Sequence, residues 1–114
     1  DTVFAIGSNT KAFTTAALSI LVDEGKLHWE DKVIDLLPGF QLMDPWVPRE
    51  FTVRDLLSMT SGLDPGYDQL YNVDPDDAYQ TALALPAIND PGAVFVYGPA
   101  NMEVFGALLE QKLK

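Results

Sequence analysis

The sequence predicts a mainly α-helical chain, and three observations predict it. An apolar run from Ala12 to Val22, broken only by Thr14, Thr15 and Ser19, is long enough for several helical turns and stops at Gly25. Helix-start signals then recur at Thr52-Val53-Arg54-Asp55, at Asp74-Pro75 and at Gly98-Pro99. Against these stands one strand-like segment, Ala93 to Tyr97, with no second strand in the sequence to pair with it. A helical chain whose one strand lacks a partner reads as part of something larger that also contains sheet.

Taken in order, the first helix is predicted over about Ser8 to Glu24, with Gly25 as the residue that ends it. Because apolar residues cover most of its circumference, it is expected to be surrounded by protein. Asp31 to Leu37 reads as a short amphipathic helix or turn closed by Pro38-Gly39. Phe40 to Glu50 reads as an ordered loop packed through Phe40, Trp46 and Val47, with no regular element. Thr52 caps a short helix through Leu56 and Leu57 that ends near Ser61-Gly62, and Leu63 to Asn72 is expected to be loop. Asp74 caps the next helix, with Pro75 at its first position and Ala78, Tyr79, Ala82 and Leu83 within it, up to a stop at Pro86. Pro91-Gly92 turns into the strand-like segment. The last helix is predicted over Ala100 to about Lys112, with Met102, Val104, Phe105, Leu108 and Leu109 apolar.

The 114 residues suit one modest domain, and no repeat, low-complexity tract or linker divides them. A hydrophobic content of 47% argues for a packed interior. The formal charge of -10 repels phosphate backbones, so no nucleic-acid partner is expected. Cysteine is absent, so neither a disulfide framework nor a thiolate metal site is available. His28 is the one histidine and sits in a turn-like context after a helix stop, a poor place for a triad base. Asp74, Asp76 and Asp77 lack calcium-loop spacing and read as first-turn acids favoured by the helix dipole. No cofactor, metal or membrane-spanning segment is expected.

Chemistry concentrates where the first helix begins. Ser8 and Lys11 are three residues apart, a spacing that puts both on one helical face with hydroxyl and amine able to meet. A serine hydroxyl is a weak nucleophile at neutral pH, and a lysine activates it when its amine is held neutral. The apolar surroundings expected of this helix would disfavour the ammonium and supply that amine. Gly7 marks the turn into the helix and leaves Ser8 in the first turn, where backbone N–H groups without intrahelical partners suit a developing oxyanion. The same residues also fit an ordinary helix start, with Ser8 as N-cap and Lys11 in solvent.

Four segments in this order, Phe4-Ala5-Ile6-Gly7-Ser8-Asn9-Thr10-Lys11, Asp44-Pro45-Trp46, Phe51-Thr52-Val53-Arg54-Asp55-Leu56-Leu57-Ser58-Met59-Thr60-Ser61-Gly62-Leu63 and Val96-Tyr97-Gly98-Pro99, resemble the serine β-lactamase-like superfamily. The nearest group is that of class C β-lactamases, D-alanyl-D-alanine carboxypeptidases and related esterases. The resemblance extends over residues 1–114 but over only part of the family domain. It implies a mainly α fragment of an α+β, transpeptidase-like fold, running from the strand before the nucleophile helix to the helix after the tyrosine motif. Most of the antiparallel sheet and its K-T-G or H-x-G edge strand lie outside this sequence.

The activity implied is a serine hydrolase acting on a small-molecule ester, lactam or peptide through an acyl-enzyme, without a cofactor, and inactive as this isolated piece. By position, the resemblance makes Ser8 the acylated nucleophile and Lys11 the amine that shares its proton. It makes Tyr97 the phenol or phenolate that passes the proton to the leaving group and activates water. A free tyrosine titrates near pH 10, roughly, so that role requires a nearby cation, for which Lys11 is the candidate. Tyr67 and Tyr71 fall where relatives border the substrate cleft; surface packing is their alternative.

The chain departs from the family pattern at two places. Pro99 stands where the Y-x-N asparagine would meet a substrate amide, and proline offers neither a side-chain donor nor an N–H. This favours an esterase-like or uncharacterised member over one selective for an amide side chain, and Asn101, further into the helix, is not assumed to replace it. Met59 stands where relatives often carry histidine, a position read as structural, so that its loss is tolerable. Ser61, beside Gly62, reads as a cap rather than as a second nucleophile. Pro99 and the missing third motif keep open a non-catalytic binding or scaffold member of the same fold.

Overall fold

The computed structural model describes residues 1–114. The regular structure is six α-helices, α1 (Thr10–Asp23), α2 (Val33–Leu36), α3 (Val53–Leu57), α4 (Tyr67–Leu70), α5 (Ala78–Leu83) and α6 (Pro99–Leu113), with single 3₁₀ turns at Gly7–Asn9, Val47–Arg49 and Pro75–Asp77. Their ends follow from local hydrogen bonding. At the close of α1, Gly25 takes a left-handed φ of 70°, so that its N–H reaches the Val22 carbonyl and that of Lys26 the Leu21 carbonyl, both at 2.9 Å. Thr52 and Asp55 form the expected reciprocal cap on α3: the Asp55 N–H donates to Thr52 Oγ1 at 3.3 Å, and the Thr52 N–H donates to Asp55 Oδ2 at 2.9 Å. Asp74 Oδ1 accepts from the Asp76 N–H at 3.0 Å ahead of α5.

The far end of α3 closes by the same pair of bonds as α1, from Met59 N–H to the Leu56 carbonyl and from Thr60 N–H to the Asp55 carbonyl. Here the left-handed position is held by Met59, with a φ of 57°, the one residue other than glycine at positive φ. For an L-residue this costs about 1–2 kcal/mol.

The core is organised around α6. Ala100, Asn101, Val104, Phe105 and Leu108 fall at helical spacing on one face and are all buried. Against that face pack α3, α4, α5 and α1. Phe105 and Phe51 are fully buried, and Phe51 meets Phe40 edge to face with ring centroids 5.6 Å apart.

Several expectations are corrected. The first helix is not surrounded: of its residues only Leu18 and Leu21 are buried, whereas Phe13 is 69% and Ile20 58% exposed. Val3 and Phe4, ahead of it, are more exposed still. Its apolar circumference is real, but nothing in this chain covers the outer side. The predicted strand Ala93–Tyr97 joins no ladder, because no neighbouring strand is present. The chain has only isolated antiparallel bridges, Lys32 with Thr52 and Leu63 with Ala87. Within the expected loop Leu63–Asn72 a short helix forms, α4, entered through left-handed Gly66. The loop Phe40–Glu50 does bury Phe40 and Val47, but it contains a 3₁₀ turn and leaves Trp46 exposed. No helix is long and apolar enough to cross a membrane.

Candidate active site

Ser8 occupies the 3₁₀ turn that leads into α1, and the turn depends on Gly7, whose φ of 54° is left-handed. Lys11 follows in the first turn of α1. Its Nζ donates to Ser8 Oγ at 3.2 Å, so the three-residue spacing brings amine and hydroxyl together as the sequence predicts. Tyr97, 89 residues further along the chain, donates its hydroxyl to the same Ser8 Oγ at 2.9 Å. Lys11 Nζ also lies 5.2 Å from the centroid of the Tyr97 ring, within cation–π range. Ser8 is the apex at which the three side chains meet.

The site is open. Ser8 is exposed, Lys11 half-exposed and Tyr97 43% exposed. The dry setting expected around Lys11 is therefore not found, because the residues of α1 on this side have no covering layer. The Tyr97 hydroxyl is held below the ordinary tyrosine range, first by its hydrogen bond with Ser8 and next by hydrogen bonding to Lys11 and the positive charge there; partial desolvation works in the opposite direction. The group that the surroundings shift toward a base is the phenol.

Tyr67 and Tyr71 both stand on or beside α4, exposed, with stacked rings 5.8 Å apart. Tyr67 lies two residues beyond Pro65, which is in tight contact with Gly98 next to Tyr97. His28 is exposed in its turn, with Nδ1 3.6 Å from Asp31. Ser61 is neither exposed nor a helix cap. It is buried, donating its hydroxyl to Asn101 Oδ1 and accepting the Leu63 N–H at 3.3 Å. Its partner is 40 residues away, so no local pattern could have pointed to it.

Comparison with known families gives the class of protein: residues 1–111 match the Beta-lactamase family, and the chain belongs to it. Among individual proteins, penicillin-binding protein 4 of Amycolatopsis lactamdurans is 44% identical over 63 residues, 55% of this chain and 16% of its own length. An unguisins hydrolase, ungD', of Aspergillus campestris is 40% identical over 81 residues, 67% of this chain and 15% of its own length. Protein flp of Staphylococcus aureus is 29% identical over 118 aligned positions, 99% of this chain and 24% of its own length. The chain thus spans about a quarter or less of these relatives.

Proposed function

We propose that this chain carries the nucleophile and proton-transfer residues of a serine hydrolase that works through an acyl-enzyme on an ester, lactam or peptide. The observation that carries the reading is the convergence of Lys11 Nζ and Tyr97 OH on Ser8 Oγ, at 3.2 and 2.9 Å. Family membership and the hydrolase and penicillin-binding names of two relatives support it.

In acylation, Ser8 Oγ forms a bond to the substrate carbonyl carbon and its proton passes to the Tyr97 phenolate, which the Lys11 ammonium stabilises. The oxyanion is met by the Ser8 N–H, which lies early in its turn and has no intrahelical acceptor. The carbonyl–heteroatom bond then breaks, and the leaving group takes the proton from Tyr97. In deacylation a water gives its proton to Tyr97 and its oxygen to the acyl carbon, and Ser8 recovers its hydroxyl proton. The net change is hydrolysis of one acyl bond by one water. By the family resemblance, the stacked and exposed pair Tyr67 and Tyr71 would border the substrate cleft and offer it an aromatic surface. With the site open on this chain, turnover belongs to a complete domain, and the chain alone is inactive.

The test is intact-protein mass spectrometry of the complete domain after exposure to an activated ester or a penicillin. An acyl adduct on Ser8, absent from Ser8→Ala, is the expected result. A domain that folds, binds the reagent and never gains the adduct would make this a non-catalytic member, as Pro99 allows.

A further inference from the structure

Tyr97 stands on a stretch of chain with no strand ladder to hold it, yet its hydroxyl is directed onto Ser8. What holds it comes from a single segment, Met59 to Pro65. Just before Tyr97, the Val96 N–H donates to the Met59 carbonyl at 2.9 Å; just after it, the Ala100 N–H donates to the Pro65 carbonyl at 3.0 Å. Between these anchors Gly98 lies so close to Pro65 that a Cβ on it would sit 2.2 Å from the proline Cβ. The segment grips Tyr97 from both sides, and the left-handed backbone at Met59 is part of how it reaches that position.

The segment is itself held to α6 by a polar pair out of reach of solvent. Ser61 and Asn101 are each 1% exposed; the Ser61 hydroxyl donates to Asn101 Oδ1, and Ser61 Oγ accepts the Leu63 N–H. Apolar packing is non-directional and tolerates small slips. A buried hydrogen-bonded pair does not, since a slip leaves a donor and an acceptor unpaired where water cannot replace the partner. Asn101 lies four residues after Tyr97 on the buried face of α6, so fixing it fixes the base of the turn that carries the phenol.

Resting on the serine-hydrolase reading above, we propose that the Ser61–Asn101 pair is the pin that sets the Tyr97 hydroxyl on Ser8. Both are then positioning residues, and Asn101 serves from inside the fold rather than by meeting substrate. The lowered titration of Tyr97 reports that geometry, because its first cause is the bond to Ser8.

The experiment is an NMR titration of the 114-residue chain with carbon-labelled tyrosine, comparing wild type, Ser61→Ala, Asn101→Ala and the double variant. The pin requires Tyr97 to titrate at higher pH in each single variant, with the double variant going no further than the larger single shift. Tyr79, which burial alone pushes up, is the internal control and should not move. Folded single variants in which Tyr97 titrates as in wild type overturn the proposal. If an alanine variant fails to fold, Ser61→Cys, which keeps the shape and weakens the bond, is read in its place, and an unmoved Tyr97 there overturns it equally. Because this readout needs no turnover, failure of the acyl-adduct test and failure of the pin are separate results.

Discussion

Gly98 is the position at which a single methyl group tests the architecture most directly. Its φ of 177° is ordinary extended backbone, so alanine is excluded there by space and not by conformation. The added Cβ would lie 2.2 Å from Pro65 Cβ, 2.7 Å from Pro65 Cα and 2.9 Å from the Pro65 carbonyl oxygen. None of these atoms belongs to a flexible chain end, so the two backbones must part, and reaching a carbon contact of ~3.5 Å means an opening of about 1.3 Å. Overpacking of this kind costs about 1–3 kcal/mol. The bond from Ala100 N–H to the Pro65 carbonyl spans the same contact, and losing it adds about 1 kcal/mol. The Tyr97–Ser8 bond, at 2.9 Å, has about 0.6 Å to spare before it passes the limit of a hydrogen bond at ~3.5 Å. Gly98→Ala should therefore lower stability by about 2–4 kcal/mol in urea unfolding followed by circular dichroism, and in the fraction still folded Tyr97 should titrate at higher pH. A variant with wild-type stability and an unmoved Tyr97 would refute the claim that Pro65 and Gly98 are locked together.

Lys11→Met should raise the Tyr97 titration, since it removes one hydrogen bond and the positive charge while leaving the bond to Ser8. The sign for stability follows: a depressed phenol contributes stability above the ordinary tyrosine range, and this is lost as pH falls through its folded value, so the variant should show less of that alkaline contribution in paired denaturation series. Tyr79 has the opposite sign. Burial raises it, so the stability it contributes below the ordinary tyrosine value is lost as pH rises through its folded value, and Tyr79→Phe should soften alkaline unfolding. Thr52→Ala removes the reciprocal cap of α3 and should cost about 1 kcal/mol by denaturant midpoint. Phe105→Ala empties the centre of the α6 packing and should cost about 3–5 kcal/mol, read as a lower denaturant midpoint.

Features fixed by neighbours in the chain could be read from the sequence. Thr52 with Asp55, Asp74 with Pro75, Gly25 and Gly98-Pro99 mark helix ends by satisfying or removing backbone donors within a few residues, and the helices begin and end close to them. The meeting of Ser8 with Lys11 is likewise a one-turn relation. Features fixed by distant partners could not. An apolar circumference around α1 says that the helix can be covered but not by what, and here Phe13 and Ile20 face outward. The continuous apolar run Ala93–Tyr97, rich in β-branched and aromatic residues, suits a strand, but a strand exists only through its neighbour. α4 is too short to show a period, and it starts from a left-handed glycine that read as loop. Ser61 looked like a cap because Gly62 follows it, while its partner, Asn101, stands on another helix.

No residue before Leu18 is buried, so the turns that bear Ser8 and Lys11 are tethered to the rest of the molecule mainly from below, through Leu18 and Leu21, and across the top by the Tyr97 hydroxyl. Amide protons in those turns should exchange with solvent much faster than those of α6, and the Ser8 side chain should sample more than one orientation. The meeting of Ser8 with Lys11 and Tyr97 is thus only as steady as the front of α1.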